Sequence, residues 1–493
     1  MGKYSSIINK TILPIDNKAI ISHIIDQFPE DTRFVVALGY KGDLVRDYLE
    51  LAHPSRQFEF CEVDWESSTA GPAQSLRGCR KALGDNPFMV IACDGLYEGL
   101  ASFPTHGNFV GVNYVPYEET ASYACIIPDK DGWISKIIDK RPSQLGLVAT
   151  GVFFFSDVEK LWENLTGTEL SSGYSALSSQ IHMHNWVDLG TYEKYQAFCQ
   201  KNSQYDFSKT DEFLYIVGNR VIKWFKDETI ARNRVSRTLV RSTKDERDTA
   251  FPVITDFRGG FYTYEKVPGQ TLYQRCDQEL FCSLLDWMST EIWPSFVEPR
   301  LTAEMMFDFY KTKTLKRLQA FKQKYPGFSP SSVNGKDMKY TMEEALERLI
   351  DWDSIIHRDL EKRSGFIHGD FQFDNILHDG DRFTLIDWRQ DFAGSILVGD
   401  TYYDVAKLIG GIHLNYDLIK KNQFTYFEHG ACSTFSVTNR EEFFPFIKII
   451  KERFPDPIID QIVSLIFLNM SPLHAAPFDK LLYCYALERL NAT

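Results

Sequence analysis

Hydrophobic and polar positions divide the chain into two patterns. Over the first 200 residues, short apolar runs alternate with stretches whose apolar positions recur at helical spacing. The spacing predicts a helix at 17–28, a strand at 33–38, a helix at 42–51, a strand at 57–63, a helix at 72–83 and a strand at 88–92. Such alternation predicts a mostly parallel sheet covered by helices, with ligands beyond the carboxyl ends of its strands. The polar stretch Lys201–Lys209 reads as a linker. Glu212–Ile216 and Arg220–Phe225 then alternate as a strand pair around Gly218-Asn219, a hairpin signal, and a helix with several basic residues follows at about 227–243. From about 275 to 360, and from 400 onward, apolar residues return at helical spacing. The expected organisation is a domain at 1–200, a linker at 201–210, a small strand-rich lobe at 211–272 and a helical lobe at 273–493.

Composition narrows the function classes. A chain of 493 residues is long enough for two or three domains. Its net charge of −13 argues against nonspecific nucleic-acid binding. No apolar run is long enough to span a bilayer, and the polar start does not read as a signal peptide. Nine scattered cysteines without a CxxC pair fit reduced thiols, so the expected location is cytoplasmic.

The densest chemistry lies in FIHGDFQFDNILHDGDRFTLIDW, residues 366–388. Asn375 begins an apolar strand, His378-Asp379-Gly380-Asp381 forms a hairpin turn, and Phe383–Ile386 returns, so Asn375 and Asp387 arrive at the same end. One amide oxygen and one carboxylate are hard ligands suited to Mg²⁺. Asp370 is placed to accept or orient the proton of an attacking hydroxyl, and His368 to brace the loop. That set moves a phosphoryl group from a magnesium nucleotide to an alcohol, a reaction run mainly by positioning and charge neutralisation. The segment resembles the catalytic and metal loops of the aminoglycoside phosphotransferase and choline kinase family, relatives of the protein kinases. Their HGDxxxxN…IDW pattern is matched by His368, Gly369, Asp370, Asn375, Ile386, Asp387 and Trp388. GDTYYDVAKL at 399–408 is similar to the family's GDPxxDLA helix start, where Asp400 is expected to tie the helix to the catalytic loop and Asp404 to be structural. The resemblance places Lys223, in VIKWF, over the nucleotide phosphates. It makes FYTYEKVPGQTL, 261–272, a hinge that holds adenine through the backbone of Glu265 and Val267.

In the first half, Asp94 follows one strand in VIACDG, and Asp188 ends the short segment NWVD. Two carboxylates at strand ends can hold one Mg²⁺ over nucleotide phosphates. With their neighbours, these residues resemble the sugar-phosphate nucleotidyltransferases and bacterial choline-phosphate cytidylyltransferases. The stretches are NKTILPIDNKAIISHIIDQF, ALGYKGDLVRDYL, STAGPAQSL, CDG, IIDKRP, ATG and WVDLGT, in the family's order. The resemblance implies phosphate contact and catalysis by Lys10, base contact by Thr69 and Gly71, metal binding by Asp94 and Asp188, and substrate binding by Lys140 and Gly151. The family opens with an apolar strand and a G-x-G-x-R loop, which the start MGKYSSIINK does not supply. A misassigned start, a domain that has lost its chemistry and serves as a scaffold, and a substitute segment are the alternatives. Retention of Lys10, Asp94, Lys140 and Asp188 favours the first.

The fold expected is α/β: a nucleotidyltransferase-like domain with a Rossmann-like, mostly parallel sheet, fused to a protein-kinase-like α+β domain. The resemblances imply consecutive steps. ATP phosphorylates choline, ethanolamine or a sugar, and CTP or another NTP then activates the phosphate for bacterial surface polysaccharide. The alternatives are an active kinase with a degenerate first domain and an antibiotic phosphotransferase. The expected partners are a small-molecule alcohol and nucleotides, with no nucleic acid and no membrane insertion.

Overall fold

The computed structural model describes residues 4, 6–202, 211–240, 250–294 and 300–492. The expected linker, apart from Lys201 and Asn202, lies outside these residues, as do Met1-Gly2 and positions 241–243 of the basic helix. The described chain forms two compact units, one up to residue 202 together with 211–226, the other from residue 227 onward.

The first unit begins with the expected alternation. Helix α1 (Ile20–Ile25) precedes β1 (Arg33–Leu38), α2 (Gly42–Ala52), β2 (Gln57–Glu62), α3 (Pro72–Gly78) and β3 (Phe88–Ile91). Strands β1 and β2 pair in parallel, as a crossover through α2 requires. The rest departs from a mostly parallel sheet. Strands β4 (Gly95–Tyr97), β5 (Asn108–Tyr114), β6 (Ala124–Pro128), β7 (Ile134–Asp139), β8 (Leu147–Phe155), β9 (Ser179–Met183) and β10 (Trp186–Asp188) follow. Strand β8 lies antiparallel to β3, β5 and β6, while β9 is parallel to β5. The helix-strand alternation ends near residue 91, and the close turn between β6 and β7 can join only antiparallel neighbours. The sheet is therefore mixed.

Strand β8 shows how this sheet is buried. Phe153 and Phe155 pack with Val110, Val112, Leu161 and Tyr174 on one face. Val152 and Phe154 pack with Ile24, Tyr97 and Phe109 on the other. The two-residue period of a strand feeds both layers. Helix α4 (Tyr192–Asn202) and the hairpin β11 (Glu212–Val217)–β12 (Arg220–Phe225) complete the unit. The Tyr215 hydroxyl donates to the Ile12 carbonyl at 2.8 Å.

The second unit starts with α5 (Glu228–Val240) and the antiparallel pair β13 (Ile254–Arg258) and β14 (Phe261–Glu265). Strand β15 (Gln270–Thr271) then pairs with β16 (Ile376–His378), itself the hairpin partner of β17 (Phe383–Leu385). Helices make up most of the remainder. Helix α7 (Thr401–His413) is buried on nearly every side and packs against α8 (Ile458–Met470). A helix apolar around most of its circumference belongs in a core. Helix α6 (Lys313–Lys324) also packs on α8. Among the described residues no helix is long and apolar enough to cross a membrane.

Asp400 caps α7 by accepting from the Tyr402 N–H. It also takes a forked pair from Arg363, at 3.1 and 2.6 Å, and a 2.7 Å bond from the Tyr310 hydroxyl. Arg363 and Asp400 are both fully buried. Removing one member of such a pair strands the other charge. Arg363→Met is expected to destabilise the second unit by about 3–5 kcal/mol in urea unfolding followed by circular dichroism. An unchanged midpoint would contradict this.

Candidate functional site

In the second unit, the hairpin β16–β17 delivers its ends together. Ile376 faces Leu385 in register, and the Ile386 N–H donates to the Asn375 carbonyl at 2.9 Å. Asn375 and Asp387 thus emerge side by side. The Asn375 amide nitrogen donates to the Asp370 carbonyl at 2.9 Å and to Asp370 Oδ2 at 3.3 Å. Among the described residues no hydrogen bond reaches its amide oxygen. Asp387 has a φ of +61°, the left-handed region that a non-glycine residue adopts at a cost. Backbone strain at this carboxylate marks a position fixed for its side chain's direction. Gly369, at φ +83°, is required sterically, because a Cβ there would lie 2.5 Å from Arg389 Cβ.

His368 braces the loop. It is fully buried, its Nδ1 accepts from the Asp370 N–H at 3.2 Å, and its Nε2–H donates to the Ile386 carbonyl at 2.9 Å. Burial pushes the imidazole down to about 4 although Asp370 opposes it, so the ring is neutral near pH 7. The tie from α7 to this loop comes from Asp404, not from Asp400 as the motif suggested. Asp404 accepts from the N–H groups of His368 and Gly369, both at 2.7 Å, and from Trp293 Nε1 at 3.1 Å. Burial raises its carboxyl to about 6 against those donors. The tie requires a carboxylate one turn inside the helix, and Asp400 is engaged by Arg363.

Asp370 itself meets Lys407 of α7, whose Nζ lies 2.8 Å from Oδ1, and Gln372 Nε2 at 2.7 Å from the same oxygen. Burial alone would raise this carboxyl; Lys407 and Gln372 hold it well below the usual range. Asp387 Oδ1 receives Arg234 Nη1 of α5 at 3.0 Å. Arg237, one turn on, donates to the carbonyls of Arg389, at 2.6 Å, and of Ile367, while Trp388 Nε1 donates to the Arg234 carbonyl at 2.8 Å. The basic helix is therefore riveted to both ends of the catalytic segment. Sequence reasoning found neither arginine's role. The signal was present as two arginines one turn apart, but a basic helix face ordinarily points to water.

Glu265 ends β14, and the chain runs through Val267 into β15 beside β16. The Val267 N–H makes no hydrogen bond to another described residue. Lys223 is buried in β12 of the first unit. Trp293 and Trp388 are buried core residues.

In the first unit, β4 pairs with β10 so that Gly95 faces Asp188, and the Leu189 N–H donates to the Asp94 carbonyl at 2.9 Å. Both carboxylates face Gly190, where a Cβ would sit 3.0 Å from Asp188 Oδ1 and 3.4 Å from Asp94 Oδ2. Lys10 Nζ lies 2.6 Å from Asp94 Oδ2. Gly151, at φ +89° in β8, accepts at its carbonyl from the Ala92 N–H, two residues before Asp94. Lys10, Asp94, Asp188 and Gly151 thus gather. Lys140 is exposed and pairs with Glu169; its N–H donates to the carbonyl of Tyr123. Thr69 and Gly71 sit in the loop before α3, where Thr69 bonds to Gln74.

Sequence reasoning missed Lys194, Tyr123 and Glu119. Lys194 Nζ lies 2.8 Å from Asp188 Oδ2 and 2.9 Å from Glu119, and the Tyr123 hydroxyl donates to Asp188. Burial would raise the Asp188 carboxyl, but Lys194, Tyr123 and the Gly190 N–H hold it down. The two carboxylates converge, a donor set that fits a divalent cation.

Residues 312–432 match the phosphotransferase enzyme family (APH). No curated protein matches the chain. Solved structures similar in the N-terminal region include UDP-glucose pyrophosphorylase complexed with UDP-glucose, 18% identical, covering 41% of this chain and 94% of that one with a TM-score of 0.34. HddC from Yersinia pseudotuberculosis is 19% identical and covers 40% of this chain and 90% of that one with a TM-score of 0.29. The matched stretch includes the loop of His368 and Asp370, the β16–β17 hairpin and α7.

The neutral His368 gives a pH test. Its folded value is depressed below 6.5, so its contribution to stability is complete above pH 6.5 and is lost as pH falls towards about 4. Asp404 acts in the opposite sense, so the comparison is with a variant. The loss due to His368 is about 1.4 kcal/mol per pH unit, and in His368→Gln the urea midpoint is expected to fall less steeply between pH 6.5 and 4 than in the parent. Identical slopes would contradict the assignment.

Proposed function

We propose that this chain is a bifunctional small-molecule kinase and nucleotidyltransferase. The observation that carries the kinase half is the convergence of Asp370, Asn375 and Asp387 on one loop and one hairpin within the phosphotransferase domain. In this reading the acceptor hydroxyl lies against Asp370 Oδ2, its oxygen attacks the γ-phosphorus of ATP, and the bond to the β-phosphate oxygen breaks to release ADP. The proton passes to Asp370. With Lys407 holding its carboxyl low, Asp370 orients the hydroxyl more than it abstracts from it, which suits a loose transition state. Asn375 and Asp387 would hold Mg²⁺, which would neutralise charge on the phosphates. Glu265 and Val267 would hold the adenine by backbone hydrogen bonds.

For the first unit, support comes from Lys10, Asp94 and Asp188 around one point. The two aspartates would hold Mg²⁺, and Lys10 would meet the phosphates of an NTP, CTP in the preferred reading. A phosphate monoester would attack the α-phosphorus and pyrophosphate would leave. The product of the first reaction is thereby the nucleophile of the second. Conjugates of this kind serve the building of surface polysaccharide, and a cytoplasmic location suits both nucleotides.

Two assays test the pair separately. Asp370→Ala is expected to lower magnesium-dependent ADP release about 10²–10⁴-fold while the folded circular-dichroism spectrum is retained, with a lowered thermal midpoint because Lys407 is left unpaired. Near-full turnover would rule out the role. Asp94→Ala is expected to abolish pyrophosphate release from CTP and a phosphate monoester while ADP release persists. Pyrophosphate release at the parent rate would remove the nucleotidyltransferase half.

A further inference from the structure

Beside the catalytic aspartate lies a cationic cluster that the reaction as described does not use. Lys313 and Arg317 sit one turn apart on α6, so they share a face. Lys407 projects from α7, and Arg389 follows the metal-ligand segment. Lys313 Nζ lies 4.0 Å from the ring centroid of Phe309 and 5.7 Å from that of Tyr403, while the Arg389 guanidinium lies 5.1 Å from Phe309. One aromatic floor therefore carries two of the cations. Lys407 is paired with Asp370. Among the described residues no carboxylate forms an ion pair with Lys313, Arg317 or Arg389. Arg389 Nε instead donates to the Asp391 carbonyl, and Asp391 Oδ1 accepts from the Gly394 N–H. Burial, then Arg389, Lys407 and Arg317, hold the Lys313 ammonium well below lysine's ordinary value, with Asp391 as the opposing charge. Gathering like charges away from water is costly unless an anion relieves them.

The two oxygens of Asp370 separate the functions. Oδ2 faces Asn375, on the side assigned to magnesium and the nucleotide, and Oδ1 faces Lys407, on the cationic side. We propose that Lys313, Arg317 and Arg389 form an anion subsite for the acceptor, so that the kinase phosphorylates a hydroxyl compound that already carries a carboxylate or phosphate. This inference rests on the phosphotransferase reading and specifies its substrate class. It disfavours choline and ethanolamine, whose cationic heads these side chains would repel.

The test measures ADP release from Mg·ATP with matched acceptors: glycerol, glycerate and glycerol 3-phosphate; glucose, glucuronate and glucose 1-phosphate; choline and ethanolamine. An anionic member is expected to exceed its neutral counterpart by about tenfold or more in kcat/KM, and glycerate against glycerol 3-phosphate separates carboxylate from phosphate. In Lys313→Met and in Arg317→Met, KM for that acceptor should rise about tenfold or more, with KM for ATP nearly unchanged. Lys316→Met, on the exposed face of the same helix, should change neither. Equal or better use of a neutral or cationic acceptor, or a KM that neither variant moves, overturns the proposal. A second arm needs no turnover: inorganic phosphate and glycerate are titrated calorimetrically into the full chain saturated with Mg·ADP. Binding that weakens about tenfold in both variants supports the subsite. Absent binding, or binding that the variants leave unaltered, overturns it. If phosphate binding depends on Lys313 but no acceptor releases ADP, the phosphotransfer reading fails and the anion subsite stands.

Discussion

The Asp404 carboxylate holds the His368–Asp370 loop to the core. It is buried in α7, and it fixes two consecutive backbone N–H groups, those of His368 and Gly369. A loop that must present a carboxylate and an amide in a set direction cannot rely on its own few residues. Here a core helix supplies the anchor and, three residues on, the lysine that pairs with Asp370. Helix α7 thus sets both the position and the charge state of Asp370. Its own N-terminus is secured by Asp400, Arg363 and Tyr310. Stability and chemistry share one element, because buried ionic groups keep their geometry only where packing and hydrogen bonds satisfy them together.

A second regularity concerns the carboxylates assigned to metal. Asp387 meets Arg234, Asp188 meets Lys194, and Asp94 meets Lys10. In each case a cation from a different element neutralises an aspartate at the end of a strand or hairpin. Divalent ions bound there would compete with these side chains, so the same cations are well placed to move onto phosphate oxygens when a nucleotide arrives. The contrast with the anion subsite is instructive. Lys407 is matched by a carboxylate, whereas among the described residues Lys313 and Arg317 form no ion pair with one, and the proposed anion subsite rests on that contrast.

Much of this was legible in the chain. His368, Asp370, Asn375 and Asp387 lie within twenty residues, and local hairpin chemistry alone brings the last two together. The early elements of the first unit were legible because periodicity and turn residues agree there; strand 33–38 and strand 88–91 fall where expected. The antiparallel part of the sheet was not, since an apolar run does not state the direction of its neighbour. Arg234 and Tyr123 escaped notice because each acts across the fold from a segment without a motif, whereas Lys194 lies only six residues after Asp188 and reads as an ordinary helix-surface lysine. Lys407 carried a signal that was overlooked: it is a lone cation in the apolar stretch VAKLIGGI, where an unpartnered charge would be intolerable. Lys313 and Arg317, by contrast, look like any solvated helix face until the fold brings them beside Arg389, and Lys313 beside Lys407.

The central claim is that Asn375 and Asp387 share one divalent ion in the presence of a nucleotide. Electron paramagnetic resonance of Mn²⁺, titrated with a non-hydrolysable ATP analogue into an Asp94→Asn background, addresses it directly. A nucleotide-dependent bound-manganese signal is expected that disappears in Asp387→Asn and weakens in Asn375→Leu. An undiminished signal in Asp387→Asn would contradict it.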